Sequence, residues 1–240
     1  MASIWARDRA RDFYMVFAAM AMVAVLIGFS TTYFIPAARG MLEIPWNVHV
    51  HGWLAMGWIA LLIAQVALVR ANLSRFHRKL GAIALPLAVA VWASGISTAL
   101  WATRRALPDM GRAAYSITSG TALSLTVFLL LVVAALVMRR RPDWHKRLIL
   151  LATIVVLWPA FFRFRHFVPF LPRPDVFLAL LLANLPILIA AIRDKRRFGA
   201  VHPAWKWVGS LLFIEQTLEF LAFETGLNQP LGEWLYVLLT

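Results

Sequence analysis

Seven apolar runs, each near the length that crosses a bilayer, constrain this chain more than any other feature. They fall at Phe13–Ile35, Val48–Val69, Leu80–Ala102, Tyr115–Met138, Leu148–Phe164, Val176–Ile192 and Trp205–Phe223. Crossing about 30 Å of hydrocarbon at 1.5 Å per residue takes about 20 helical residues. Lipid offers the backbone no hydrogen bonds, so such a run must satisfy itself as a helix. The expected fold is all-α: a polytopic membrane protein, a bundle of about seven transmembrane helices forming a single domain over residues 1–240. Composition agrees. The chain is 62% hydrophobic and 15% charged, where a soluble domain carries about 25% charged residues. The first run is too long for a signal-peptide core and lacks a small-residue cleavage site, so it reads as a retained helix.

The net charge of +13 is confined to the short connections, where Lys and Arg set membrane orientation. Arg7, Arg9 and Arg11, the 70–79 loop, the 139–147 loop and the 193–206 region hold seventeen of them. Arg39, Arg104, Arg105, Arg112, Arg163, Arg165 and Arg173 make seven on the other side. That bias predicts N-in and C-out in a bacterial inner (cytoplasmic) membrane, with the lipid bilayer as partner and no nucleic acid. Trp5, Trp46, Trp101, Trp144, Trp205 and Trp234 fall near run ends, where an amphipathic ring prefers the interface.

Several chemistries are excluded. The Cys count is zero, so disulfides, iron–sulfur clusters and thiolate nucleophiles are absent. Six scattered His cannot form the His clusters of a membrane di-iron oxygenase. The one Lys of the last run, Lys206, sits at its edge, so no retinal Schiff base can form deep in that helix. No P-loop, GxSxG or HExxH is present.

Two constellations remain. His51 is 19 residues from Arg70, and His166 is 19 residues from Arg147. Both His therefore sit about 28 Å from the cytoplasmic boundary. His77 and His145, each three residues before the first Leu of its run, form a second level at the inner face. Two His at one depth are what bis-His ligation of haem b needs, with iron held by His51 and His166. The competing reading is that these are interfacial or helix-start His with structural roles, and both stay open. His49 competes with His51 but points to another side of the helix.

Glu215 and Glu219 share a helix face near mid-depth. Ionisable residues there face a bundle interior or a water cavity. Depth counting matches Glu219 with Arg163, and Glu215 with Asn184. These four form an expected intramembrane polar network, either a structural clamp or a proton or ligand site. Ser116, Thr118, Ser119, Gly120, Thr121, Ser124 and Thr126 make the fourth run suited to close helix packing. Pro86, Pro159 and Pro186 are expected to kink their helices. Ser74-Arg-Phe-His77-Arg-Lys-Leu and Asp143-Trp-His145-Lys-Arg-Leu echo one another at two helix starts.

His51-Gly-Trp-Leu, Gln65 and His77-Arg-Lys-Leu-Gly81, followed by His145-Lys-Arg147 through Arg163, resemble a pattern of bacterial polytopic membrane proteins that share a domain of unknown function. More distantly, the segments are similar to two-haem b-type transmembrane cytochromes. That similarity implies haem ligation and electron transfer between a quinol and an outer acceptor. The other class is a non-redox small-molecule or proton-coupled carrier, or an accessory subunit of a larger complex. Whether the chain is an enzyme stays open.

Overall fold

The structure is a computed structural model that describes residues 11–240, so Trp5, Arg7 and Arg9 lie outside the described residues. The described residues are mostly helical, with no strand. The elements are α1 (Arg11–Gly28), α2 (Ile35–Ala38), α3 (Trp46–Arg70), α4 (Ser74–Gly81), α5 (Ala84–Met110), α6 (Tyr115–Val137), α7 (Pro142–Val155), α8 (Trp158–Arg163), α9 (Ala183–Phe198), α10 (Ser210–Thr225) and α11 (Gln229–Leu239). All seven apolar runs of the sequence lie in helix. Four helical stretches are long and apolar enough to cross a membrane, or five if the bent pair 12–28 and 30–38 is one crossing. One of these stretches, Ser74–Arg140, contains α4, α5 and α6, with Gly111 (φ 55°) turning the chain between α5 and α6. A left-handed φ favours glycine there.

α7 is the centre of the bundle. Leu151, Ala152 and Val155 are fully buried, and Pro142–His166 is far more enclosed than the other three stretches long and apolar enough to cross. Hydrogen bonds between helices are sparse and specific. Trp58 Nε1 donates to Thr153 Oγ1 (3.2 Å), joining α3 to α7. Trp92 Nε1 donates to Thr126 Oγ1 (3.1 Å), and Thr103 meets Thr118 (2.8 Å), joining α5 to α6. The hydroxyl-rich face of α6 thus packs and bonds as expected of small polar residues in lipid.

Three stretches widen to π-helical turns: Ser30–Phe34, Asp175–Leu182 and Ala204–Gly209. Pro186 follows the second by four residues, so Leu182 lacks its ordinary backbone donor and the turns before it rearrange. Pro159 starts α8 after a break at 156–157. Pro86 differs from expectation. It stands in the first turn of α5, where a missing N–H costs nothing, so it does not kink a helix interior. Trp205 is another difference: it is buried at 3% exposure, whereas Trp46 and Trp234 are exposed.

Candidate functional site

α6, α10 and α11 enclose a half-open groove of about 360 Å³. Its walls are Leu123, Leu211, Ile214, Leu218, Ala222 and Leu231, and its polar groups come from Ser119, Glu215, Glu219 and Asn228. Leu211, Ile214, Leu218 and Leu231 are exposed on the bundle surface, so the mouth opens where lipid would lie. The i, i+4 spacing of Glu215 and Glu219 brings both carboxyls to this wall of α10.

Ser124 Oγ donates to Glu219 Oε2 (2.9 Å) across the α6–α10 contact. Gly120 makes that contact possible, because a Cβ there would lie 2.6 Å from Glu219 Oε1. Both Glu215 carboxyl oxygens are shielded and bond nothing among the described residues. One wall of the groove depends on α11. Ser116 Oγ donates to Asn228 Oδ1 (2.7 Å), Tyr115 packs edge-on against Tyr236 at 5.6 Å, and Arg112 pairs with Glu233 at 2.5 Å. α11 therefore lies on α6.

The expected network is only partly assembled. Glu215 and Glu219 share the groove. Asn184 bonds Gln216 Oε1 (2.6 Å) and the Leu180 carbonyl (2.8 Å), one residue away from Glu215. Arg163 does not reach Glu219: it donates to the Pro159 carbonyl (2.8 Å) and lies over the Phe29 ring at 4.2 Å.

The His residues sort by what holds them. Ser94 Oγ donates to the Val91 carbonyl (3.2 Å), so its contact with His51 Nδ1 (3.1 Å) is one in which the imidazole donates. His51 Nε2 is then the lone-pair nitrogen. His145 Nδ1 likewise donates to the Ala135 carbonyl (2.7 Å). His77 lies within electrostatic reach of His145, bringing the inner pair together. The Gln65 amide, oriented so that its oxygen accepts from the Gly81 N–H (2.8 Å), donates to His77 Nδ1, which leaves the proton of that ring on Nε2. His166 is exposed at the end of α8 and shares no hydrogen bond or ring contact with His51. His49 bonds the Tyr33 hydroxyl (2.8 Å) beside Trp46 and Trp53.

A second buried cluster escaped the sequence reading. Arg147 donates twice to Asp194 Oδ2 (3.2 and 2.8 Å) and once to the Asp143 carbonyl (2.9 Å), and both charged side chains are fully buried. Arg193 joins Asp194 Oδ1 (2.8 Å). His202 packs edge-on against Trp144 at 5.2 Å and lies 3.4 Å from Asp143 Oδ2. Burial, with the Arg147 charge beside it, pushes His202 down to about 4 against the pull of Asp143 and Asp194. Two signals pointed here: Asp143 and Arg147 at i, i+4, and Asp194 alone in a basic run.

No family model matches the chain, and no curated protein and no solved structure matches it.

Proposed function

We propose that the chain crosses a bacterial inner membrane seven times, N-in and C-out, and works as a proton-coupled carrier of a small lipophilic molecule. The observation that carries this reading is the α6–α10–α11 groove, open to the bundle surface, whose apolar wall includes Glu215 and Glu219, with the Glu215 carboxyl oxygens shielded behind it. An ionisable side chain in that position is costly unless it serves a site. Glu219 is held by Ser124 in the recess left by Gly120, and Glu215 keeps its bonding capacity for a ligand or a proton. The apolar walls select a lipid-dissolved guest, and the carboxyls recognise its polar head.

Dicyclohexylcarbodiimide, an apolar reagent that adds to carboxylic acids reached from lipid, tests the site. Mass spectrometry of the treated protein in bilayers should find the adduct on Glu215 or Glu219. Glu215→Gln with Glu219→Gln should remove it. Labelling confined to Glu43, Glu224 or Glu233 would defeat the reading.

Haem b binding with electron transfer from a quinol is the second reading, and the His51 tautomer favours it. A His whose Nδ1 proton is engaged presents Nε2 to a metal. His51 and His166 would be the iron ligands of the outer level, with His77 and His145 at the inner level. Protein purified with haem supplied should then show a sharp reduced α-band that His51→Ala removes. A colourless protein ends this reading and leaves the carrier reading intact.

A further inference from the structure

We infer that an anionic phospholipid binds along the C-terminal half of α9, its phosphate on Arg196 and Arg197 and its acyl chains on Ile189 and Ile192. This rests on the membrane reading but not on the carrier reading.

Ile189, Ile192, Arg193, Arg196 and Arg197 line one groove of about 590 Å³. Their spacing of i, i+3, i+4, i+7 and i+8 puts all five on one face of α9. That face changes character along the helix. Ile189 and Ile192 are 49% and 43% exposed, and Arg196 and Arg197 stand exposed in the last turn. Ile192 and Arg196 are about 6 Å apart along the axis at 1.5 Å per residue. The headgroup region on each side of a bilayer is about 5–8 Å deep, so the change falls within the height of one headgroup.

The charge of this end is not cancelled by the protein. Asp194 is the one acid in the 193–197 run of Arg-Asp-Lys-Arg-Arg, and it is already engaged. Its Oδ2 accepts two bonds from Arg147 (3.2 and 2.8 Å), and its Oδ1 accepts one from Arg193 (2.8 Å). Arg193 is thereby held at the edge of the groove, with its guanidinium over the Phe13 ring at 4.9 Å. Arg196 and Arg197 pair with no acid among the described residues. A helix C-terminus carries about half a negative charge, which offsets only part of two guanidiniums.

One groove therefore has positive charge at one end and exposed hydrocarbon at the other. Each guanidinium is a planar fork of donors that fits phosphate oxygens. An anionic phospholipid has the complementary order of groups, and basic clusters at the cytoplasmic end of a spanning helix attract such lipids. Free phosphate would leave Ile189 and Ile192 uncovered, and a zwitterionic lipid would bring its own cation among the guanidiniums.

The test counts lipids held by the full chain in a neutral detergent, by native mass spectrometry. Dioleoyl phosphatidylglycerol is set against dioleoyl phosphatidylcholine, which has the same chains and phosphate but adds a cation. One phosphatidylglycerol should stay bound at concentrations where phosphatidylcholine is lost. Arg196→Gln and Arg197→Gln should each weaken its binding about ten-fold, the loss of one charge-assisted contact. Arg139→Gln and Arg140→Gln, at exposed positions in the turn before α7, should leave it unchanged. Equal retention of the two lipids, retention of neither, or the same loss in Arg140→Gln as in Arg196→Gln would overturn the site. Displacement of the lipid by an equal concentration of inorganic phosphate would make it a soluble-anion site and overturn it too. A chain that stays monodisperse without detergent would defeat the membrane reading itself, and the lipid site with it.

Discussion

Arg147 and Asp194 are both fully buried, and such a pair is measured by what happens when one partner goes. Asp194→Asn leaves a buried guanidinium without its carboxylate, and losses of about 3–5 kcal/mol are typical of that change. Glu233→Gln breaks the Arg112 pair, whose side chains are 67% and 40% exposed, and an exposed pair contributes only about 0.2–1 kcal/mol. Thermal unfolding of the two variants in one detergent should rank Asp194→Asn far below Glu233→Gln; equal losses would mean the buried pair contributes no more than a surface one. His202 adds a pH term. Its folded pKa of about 4 is below the ordinary His value of about 6.5, so the unfolded chain binds more protons between those limits. The stability this provides is complete above pH 6.5 and is lost as pH falls toward 4. Unfolding midpoints measured across that window should fall more steeply for the wild type than for His202→Gln. A depth count from the sequence reached Glu215 and Glu219 but misassigned their partners. Depth along a helix follows from 1.5 Å per residue, whereas the direction a side chain faces depends on which helices are neighbours. α8 packs on α1 and the 175–182 stretch, and α10 packs on α6. Arg163 and Glu219 can therefore share a depth and still not meet.

Helix boundaries were more legible than helix partners, because hydrocarbon thickness imposes one length on every crossing. The seven runs each became helix, and Pro159 marked a real break between α7 and α8. α11 was not legible as a packed element: Pro230 and Gly232 interrupt it, and its length of 11 residues is below a crossing. Those same residues explain its position. Pro230 stands in the first turn, where it starts a helix. A Cβ on Gly232 would collide with the Tyr115 carbonyl, so the absent side chain is what lets α11 lie directly on α6. Gly232→Ala should force α11 away and cost about 1–3 kcal/mol, the range for overpacking. Limited proteolysis in detergent should then cut near Asn228 in the variant before the wild type. Identical digestion would mean α11 does not depend on that close approach. The groove carboxyls provide a second readout, since Leu231 and Asn228 form part of its wall.

At the scale of the whole molecule, α10 decides the number of crossings. It is not among the stretches long and apolar enough to span, because Glu215, Glu219 and Glu224 dilute it. Its end contacts show that it extends along the height of the bundle. The segment leading into it places His202 against Asp143 and Trp144 at the start of α7. Its far end places Glu224 on Arg173 at 2.6 Å, beyond the end of α8. α7 and α8 run from one of these ends to the other, so the 204–225 helix covers the same height. Beyond it, Glu233 on α11 reaches Arg112 at the α5–α6 turn, which fixes the C-terminal helix at the Arg173 end. The sequence count expects seventeen Lys and Arg on the cytoplasmic side and seven on the other, and orientation follows Lys and Arg, not net charge. Ion pairing by Arg112 and Arg173 therefore leaves the bias in place. A periplasmic phosphatase fused after Thr240 should be active, and a fluorescent protein that matures only in the cytoplasm should be dark there. The same reporters placed after Arg197 should give the opposite pattern, because that site lies at the basic end. If both positions report the same side, α10 does not cross, and Glu215 and Glu219 stand outside the membrane. The carrier reading would then lose the apolar setting on which it depends.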